Sequence, residues 1–332
     1  MIRSLALILF ATPLAAEVPL QRIVEDHILP GYEALATESA TLADVAEEHC
    51  APDDAVLREA YNDAFDAWIA VSHLRFGPSE VGDRAFSLAF WPDSRGATPS
   101  ALNGLIADAD PVVETEEGFA DVSVAARGFY AMEFLLYDET LSTAGDPDYH
   151  CALVQAVARD IASVSATIRQ DWTDGYGTLI ATAGENDTYR STEEAAQELF
   201  KAVNFGLEFT SDTRLGRPMG TFDRPRPARA EAWRSGRSLR HVRISLDANR
   251  ELALMLAADA PETQANLDVA LTRAIERADA LDDPIFAGVE DPQGRFAIEA
   301  LQTDIQTARR VVSTELGPVL GVAAGFNSLD GD

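Results

Sequence analysis

Apolar residues recur at intervals of three and four along almost the whole chain, and strict alternation is nearly absent. That spacing lines side chains along one stripe of an α-helix and predicts an all-α protein. Leu20 to Glu48 carries the pattern with Pro30-Gly31 inside it, so a kinked helix is expected there. Asp53-Asp54 open a second helix running through Phe65, Trp68 and Val71. Further helices are expected from Pro99 to Ala107, Val122 to Tyr137, Asp148 to about Ile180, and over 192–212, 228–258, 262–281 and 294–316. Two Pro/Gly-rich connections interrupt them, residues 76–98 and 216–227, and the first is long enough to be functional rather than a mere link. Gly184-Glu185-Asn186-Asp187 is read as a midpoint joint. The expected architecture is all-α, two helical bundles side by side, residues 17–183 and 184–332.

Residues 1–16 have the form of an export signal: Arg3, the apolar run Leu5 to Phe10, then Pro13-Leu14-Ala15-Ala16. The run falls short of the roughly 20 residues that span a bilayer. The mature chain is therefore expected in the periplasm, with no membrane insertion after signal cleavage. A formal net charge of −29 argues against nucleic acid, whose phosphates demand lysine and arginine clusters, and against anionic membrane surfaces. It is compatible with attracting cations, although solubility through self-repulsion explains it more simply. The two cysteines, Cys50 and Cys151, each stand at or just before the start of a helix. In an exported chain that minimal even count reads as one disulfide.

Standard catalytic motifs are missing. None of His27, His49, His73, His150 and His241 has a glutamate three residues away, and no Gly-rich phosphate loop or GxSxG elbow occurs. What stands out is Gly128-Phe129-Tyr130-Ala131-Met132-Glu133 in an apolar helix. Tyr130 and Glu133, three apart, share a helix face, and a glutamate in such surroundings is costly to bury without a partner. Gly128 would let another backbone or a ligand come close. The plainer reading makes Tyr130 a core aromatic and turns Glu133 to solvent or an arginine. Trp68, Trp91 and Trp172 read as core.

Here the chain resembles the imelysin-like family, in which this helix reads Gly-x-His-x-x-Glu before a Phe-Leu-Leu-type run. Gly128 and Glu133 match, and Tyr130 takes the histidine position. Arg75-Phe76-Gly77-Pro78 with Trp91-Pro92, Leu215-Gly216-Arg217-Pro218-Met219-Gly220, Ser235-Gly236-Arg237-Ser238-Leu239 and the terminal Gly325-Phe326-Asn327-Ser328-Leu329-Asp330-Gly331-Asp332 are similar to other family motifs. The resemblance implies two four-helix-bundle-like halves, an envelope location, a link to iron uptake, and a metal site at the His-x-x-Glu position. Tyr130 changes the chemistry: a phenolate is a hard anionic donor that suits Fe(III) better than Zn(II). It equally permits a cleft that holds no metal. Arg75, Asp83, Asp212 and Arg214, near the two irregular connections, are further cleft candidates, and Arg75 or Arg214 is an alternative partner for Glu133. The expectation is a protein that binds iron, as the ion or a chelate, in a cleft between the halves, serving an envelope iron transporter. A metal-free scaffold and a metallopeptidase are the alternatives, the latter weakened by the lost His-x-x-Glu pair.

Overall fold

A computed structural model describes residues 18–322. The export-signal reading of residues 1–16 and the terminal motif from Gly325 lie outside the described residues. Within them the chain is helical, and its only bridge-like pairing joins Thr221 and Arg224 in a turn. The main helices are α1 (Leu29–Glu48), α2 (Ala55–Val71), α3 (Ala97–Asp108), α4 (Gly128–Tyr137), α5 (Pro147–Asp171), α6 (Thr192–Glu208), α7 (Ser238–Leu256), α8 (Pro261–Asp279) and α9 (Pro292–Val311). Side-chain oxygens of Asp54, Asp146, Ser191 and Asp291 cap the first free N–H groups of α2, α5, α6 and α9.

Helix α1 lies against α2 and α5, and α4 touches α2, α3 and α5. Helices α6, α7, α8 and α9 pack in sequence on one another, and α7 also lies against α2. One continuous apolar core runs from Leu20 and Ile23 through Phe65, Phe129 and Trp172 to Leu271 and Ile305. The span Pro147–Ala181 is apolar and long enough to cross a membrane by length and composition. Leu153, Val157, Ile161 and Ile168 of that span are nevertheless fully buried in the core.

Several expected helices change shape. The stretch 20–48 stays helical by widening into a π turn, Val24–Ile28, just before Pro30. A π turn is one way to accommodate a residue that has no N–H to donate. The helix expected from Val122 starts instead at Gly128, because Arg127 is extended and sends its guanidinium to Asp160 at 2.6 Å. The helix expected from residue 228 starts at Ser238, and residues 230–236 form a turn in which Ala232 and Gly236 take positive φ. Helix α6 runs on past residue 212 through a π turn, Phe209–Leu215, and a short helix, Gly216–Met219.

Cys50 and Cys151 form a disulfide across a sequence separation of 101, with Cα atoms 5.0 Å apart. It ties the C-terminal end of α1 to the first turn of α5. Replacing both cysteines by serine should cost about 2–5 kcal/mol, as expected for closing so long a loop. Urea unfolding of both forms, with and without reductant, checks it; equal midpoints would show that the bridge contributes nothing.

Candidate functional site

Tyr130, on the first turn and a half of α4, is buried, and its hydroxyl donates to Glu231 Oε1 at 2.5 Å. Glu231 comes from the turn before α7 and is only 1 % exposed. Its second oxygen, Oε2, accepts from Arg214 Nε at 2.6 Å and lies 3.1 Å from His241 Nδ1. Ser238 Oγ donates to the Glu231 carbonyl at 2.6 Å, which fixes the turn that carries it. Arg214 projects from the π turn and donates to Thr210 and Ser245 hydroxyls at 3.2 and 3.1 Å, with Phe209 against its guanidinium.

The electrostatics follow from burial. Burial alone would raise the Glu231 carboxyl, but Arg214 first, and His241 after it, overcome that and bring it down to about 2. The Tyr130 phenol is pushed well above its usual range by burial and then by the charge of Glu231. Burial holds His241 neutral against the pull of Glu231, so the ring donates from Nδ1 and leaves a buried Nε2 without a partner. The network is thus one carboxylate neutralised by one guanidinium, with a protonated phenol as a further donor.

Two openings flank it. One, about 730 Å³, lies between residues 73–92 and α6 with its π turn. Phe76, Phe86, Phe90, Trp91, Phe205 and Phe209 wall it, and Arg75, Lys201, Glu80 and Glu198 supply its charges. Arg75 grips Glu80 at 2.6 Å while its guanidinium lies within 6 Å of both Phe86 and Phe205. At its inner end a void of about 30 Å³ reaches Tyr130, Arg214 and Glu231. His73 lines both; its Nε2 lies 3.2 Å from His27 Nε2, and its Nδ1 is buried with no partner. Burial, His27 and Arg214 keep His73 uncharged at neutral pH. The second opening, about 220 Å³, lies on the other side of Trp91 and is reached by Tyr130 and Glu133.

Tyr130 and Glu133 are both buried on α4, but they turn to different partners: Glu133 Oε1 accepts from the Ser235 N–H at 3.0 Å and its hydroxyl at 2.8 Å. Arg214 pairs with Glu231 and Arg75 with Glu80, so neither is the partner of Glu133. Asp83 is exposed at the start of the short helix Arg84–Leu88, and Asp212 accepts from Ser211 and faces Arg309 at 3.8 Å. Neither aspartate lines these openings. Gly128 admits backbone, since a Cβ there would meet the Leu88 and Ser87 carbonyl oxygens at 2.2 and 2.3 Å. Trp68 and Trp172 are core, as expected, but Trp91 is half-buried and separates the two openings. Glu231 is the residue that sequence reading missed. Its one signal was a carboxylate set between Ala230 and Ala232-Trp233. Among the described residues no group of three or more His, Cys, Asp or Glu side chains is arranged to hold a metal ion.

Fold and site define an all-α protein in which two clefts converge on a buried tyrosine–carboxylate–arginine network. The imelysin family profile matches residues 28–312, and the chain belongs to that family. It is similar to the iron-regulated protein A of Synechococcus elongatus, 22 % identical over 325 residues that cover 91 % of this chain and 86 % of the relative. Its fold is that of an imelysin-like protein from Psychrobacter arcticum (TM-score 0.76, 18 % identity, 94 % of this chain and all of the other). A putative iron-regulated protein A precursor from Parabacteroides distasonis shares it too (TM-score 0.73, 15 % identity, 88 % and 92 % coverage).

Proposed function

We propose that the protein serves iron acquisition in the cell envelope by binding iron as a complex, its own ligands still attached, in the 730 Å³ cleft beside Tyr130. The observation that carries this is the pairing of a large aromatic cleft with a small void at its inner end that is lined by the charge-neutral Glu231–Arg214 pair. A bare ferric ion needs several anionic donors. Here the Tyr130 hydroxyl is committed to Glu231, whose charge Arg214 already offsets. The donor set does not fit a naked ion, whereas the aromatic walls, with the ion pairs Arg75–Glu80 and Lys201–Glu198 among them, suit a bulky complex that brings its own oxygens. The names of the Synechococcus and Parabacteroides relatives support an iron-related role. The word precursor in the second, together with residues 1–16 here, supports export to the periplasm.

The test is a titration with ferric citrate, read by quenching of tryptophan fluorescence and by visible absorbance. Saturable quenching near one equivalent is expected. Arg75→Gln or Lys201→Gln should weaken it roughly tenfold, the effect of losing one charge-assisted contact of about 1.5 kcal/mol. Tyr130→Phe should leave the absorbance of the bound complex unchanged. A phenolate-to-iron band that vanishes in Tyr130→Phe would overturn the reading in favour of direct ligation by Tyr130. No saturation with the ferric complex would remove iron from the cleft.

A further inference from the structure

The smaller opening has a charge imbalance that the larger cleft does not share. Phe90, Trp91, Phe134 and Trp233 wall it, and Arg217, Arg229 and Arg234 line it, of which Arg234 alone is ion-paired. Neither acid that lines it, Asp93 or Glu133, is ion-paired with an arginine. Asp93 accepts from the backbone N–H groups of Arg95, Ala97 and Thr98. Glu133 takes both donors of Ser235, and Asp138 holds Arg234 at 2.8 Å. Among the described residues no carboxylate comes within ion-pair distance of Arg217 or Arg229. Arg217 Nε is buried with no hydrogen-bond partner, and its guanidinium lies 5.6 Å from the Trp91 ring centre. Elsewhere arginines such as Arg127 and Arg237 sit on carboxylates.

Two guanidinium groups facing one pocket with no acid paired to either are unusual in a chain of net charge −29. Burial, and then the neighbouring Arg229, pull the Arg217 guanidinium below its ordinary value, so the pair is mutually repulsive as it stands. An anion between them would relieve that repulsion and give the buried Nε a partner. The volume, about 220 Å³, lies below the roughly 300–1,000 Å³ typical of sites for drug-sized ligands, so the occupant is small. Trp91 and Trp233 set aromatic rings beside the cations, with Arg217 5.6 Å from the centre of the first and Arg234 4.7 Å from that of the second.

We infer that this pocket is a binding site for a small planar organic anion, with Arg217 and Arg229 holding its carboxylate and Trp91 and Trp233 flanking its apolar body. Net negative charge repels anions in general, so saturable binding of one would have to come from a locally built site. Iron plays no part in this inference, and its outcome is separate from that of the larger cleft.

Calorimetric titration of the iron-free chain with benzoate, inorganic phosphate and benzyl alcohol tests it. Saturable benzoate binding is expected, weakened at least roughly tenfold in Arg217→Gln and in Arg229→Gln. Arg22→Gln, an exposed arginine elsewhere, should leave it unchanged. Arg229 is exposed, so its variant reports on binding even if Arg217→Gln folds poorly. Binding of benzyl alcohol as tight as benzoate would overturn the anion assignment, and phosphate without benzoate would overturn the planar body. Benzoate binding that survives the double variant, or none at all, would overturn the site.

Discussion

Arg214→Leu should lower stability by about 3–5 kcal/mol at pH 7, the usual result of stripping the partner from a buried charge. In the native protein the Glu231 carboxyl sits at about 2, against an ordinary value of 4.5. A carboxyl depressed on folding adds stability above its unfolded value and loses it as pH falls through the folded one. The wild type should therefore shed about 3 kcal/mol between about pH 4.5 and pH 2 from this group. Without Arg214, burial governs and the carboxyl moves up, so the variant is penalised most where Glu231 is forced to ionise. Its deficit against wild type should narrow between pH 7 and pH 4. Arg214→Leu with Glu231→Leu should recover more than half of the loss, because an apolar pair carries no buried charge. Urea unfolding at the two pH values measures all of this. A deficit below about 1 kcal/mol that ignores pH would mean that water screens Glu231 and that the ion pair does not behave as a buried one.

The helices were readable because local periodicity determines them: the continuous helical stretches 20–48, 147–181, 261–279 and 292–319 fall within a few residues of where the apolar spacing puts them. The cysteine pair was readable for a different reason, since a chain with two cysteines offers each thiol only one partner. Glu231 was not readable. Its partner Tyr130 is 101 residues away, and the segment that carries it scans as helix while it folds as a turn. Periodicity says which stripe is apolar, but not which buried polar groups will meet across packed helices. Asp83 and Asp212 show the same limit from the other side. They lie near the irregular connections in sequence, yet they face solvent or a neighbouring ion pair. Trp91 failed as a core assignment because a large apolar ring serves equally well as a cleft wall.

Gly128→Ala should cost about 3–5 kcal/mol, although it adds a single methyl group. Two costs combine. Gly128 has φ +73, a left-handed conformation that charges an L-residue about 1–2 kcal/mol. The added Cβ would also lie 2.2 and 2.3 Å from the carbonyl oxygens of Leu88 and Ser87, which are backbone atoms and cannot rotate away. Either the end of the Arg84–Leu88 helix withdraws or α4 does. Withdrawal of the former drags Trp91, three residues on, out of the wall between the two clefts. A variant that still folds should thus show a shifted tryptophan emission and weakened binding in both openings. Gly104 is the control: it is exposed in the middle of α3 with nothing within 4 Å of a Cβ. Alanine there should stabilise by up to about 1 kcal/mol through helix propensity. The contrast gives the glycine of the Gly-x-x-x-x-Glu pattern a purely structural reason, close docking of backbone on backbone beneath Tyr130. If Gly128→Ala melts with wild type while losing only ligand affinity, that reason fails, and the glycine is there to let a ligand approach.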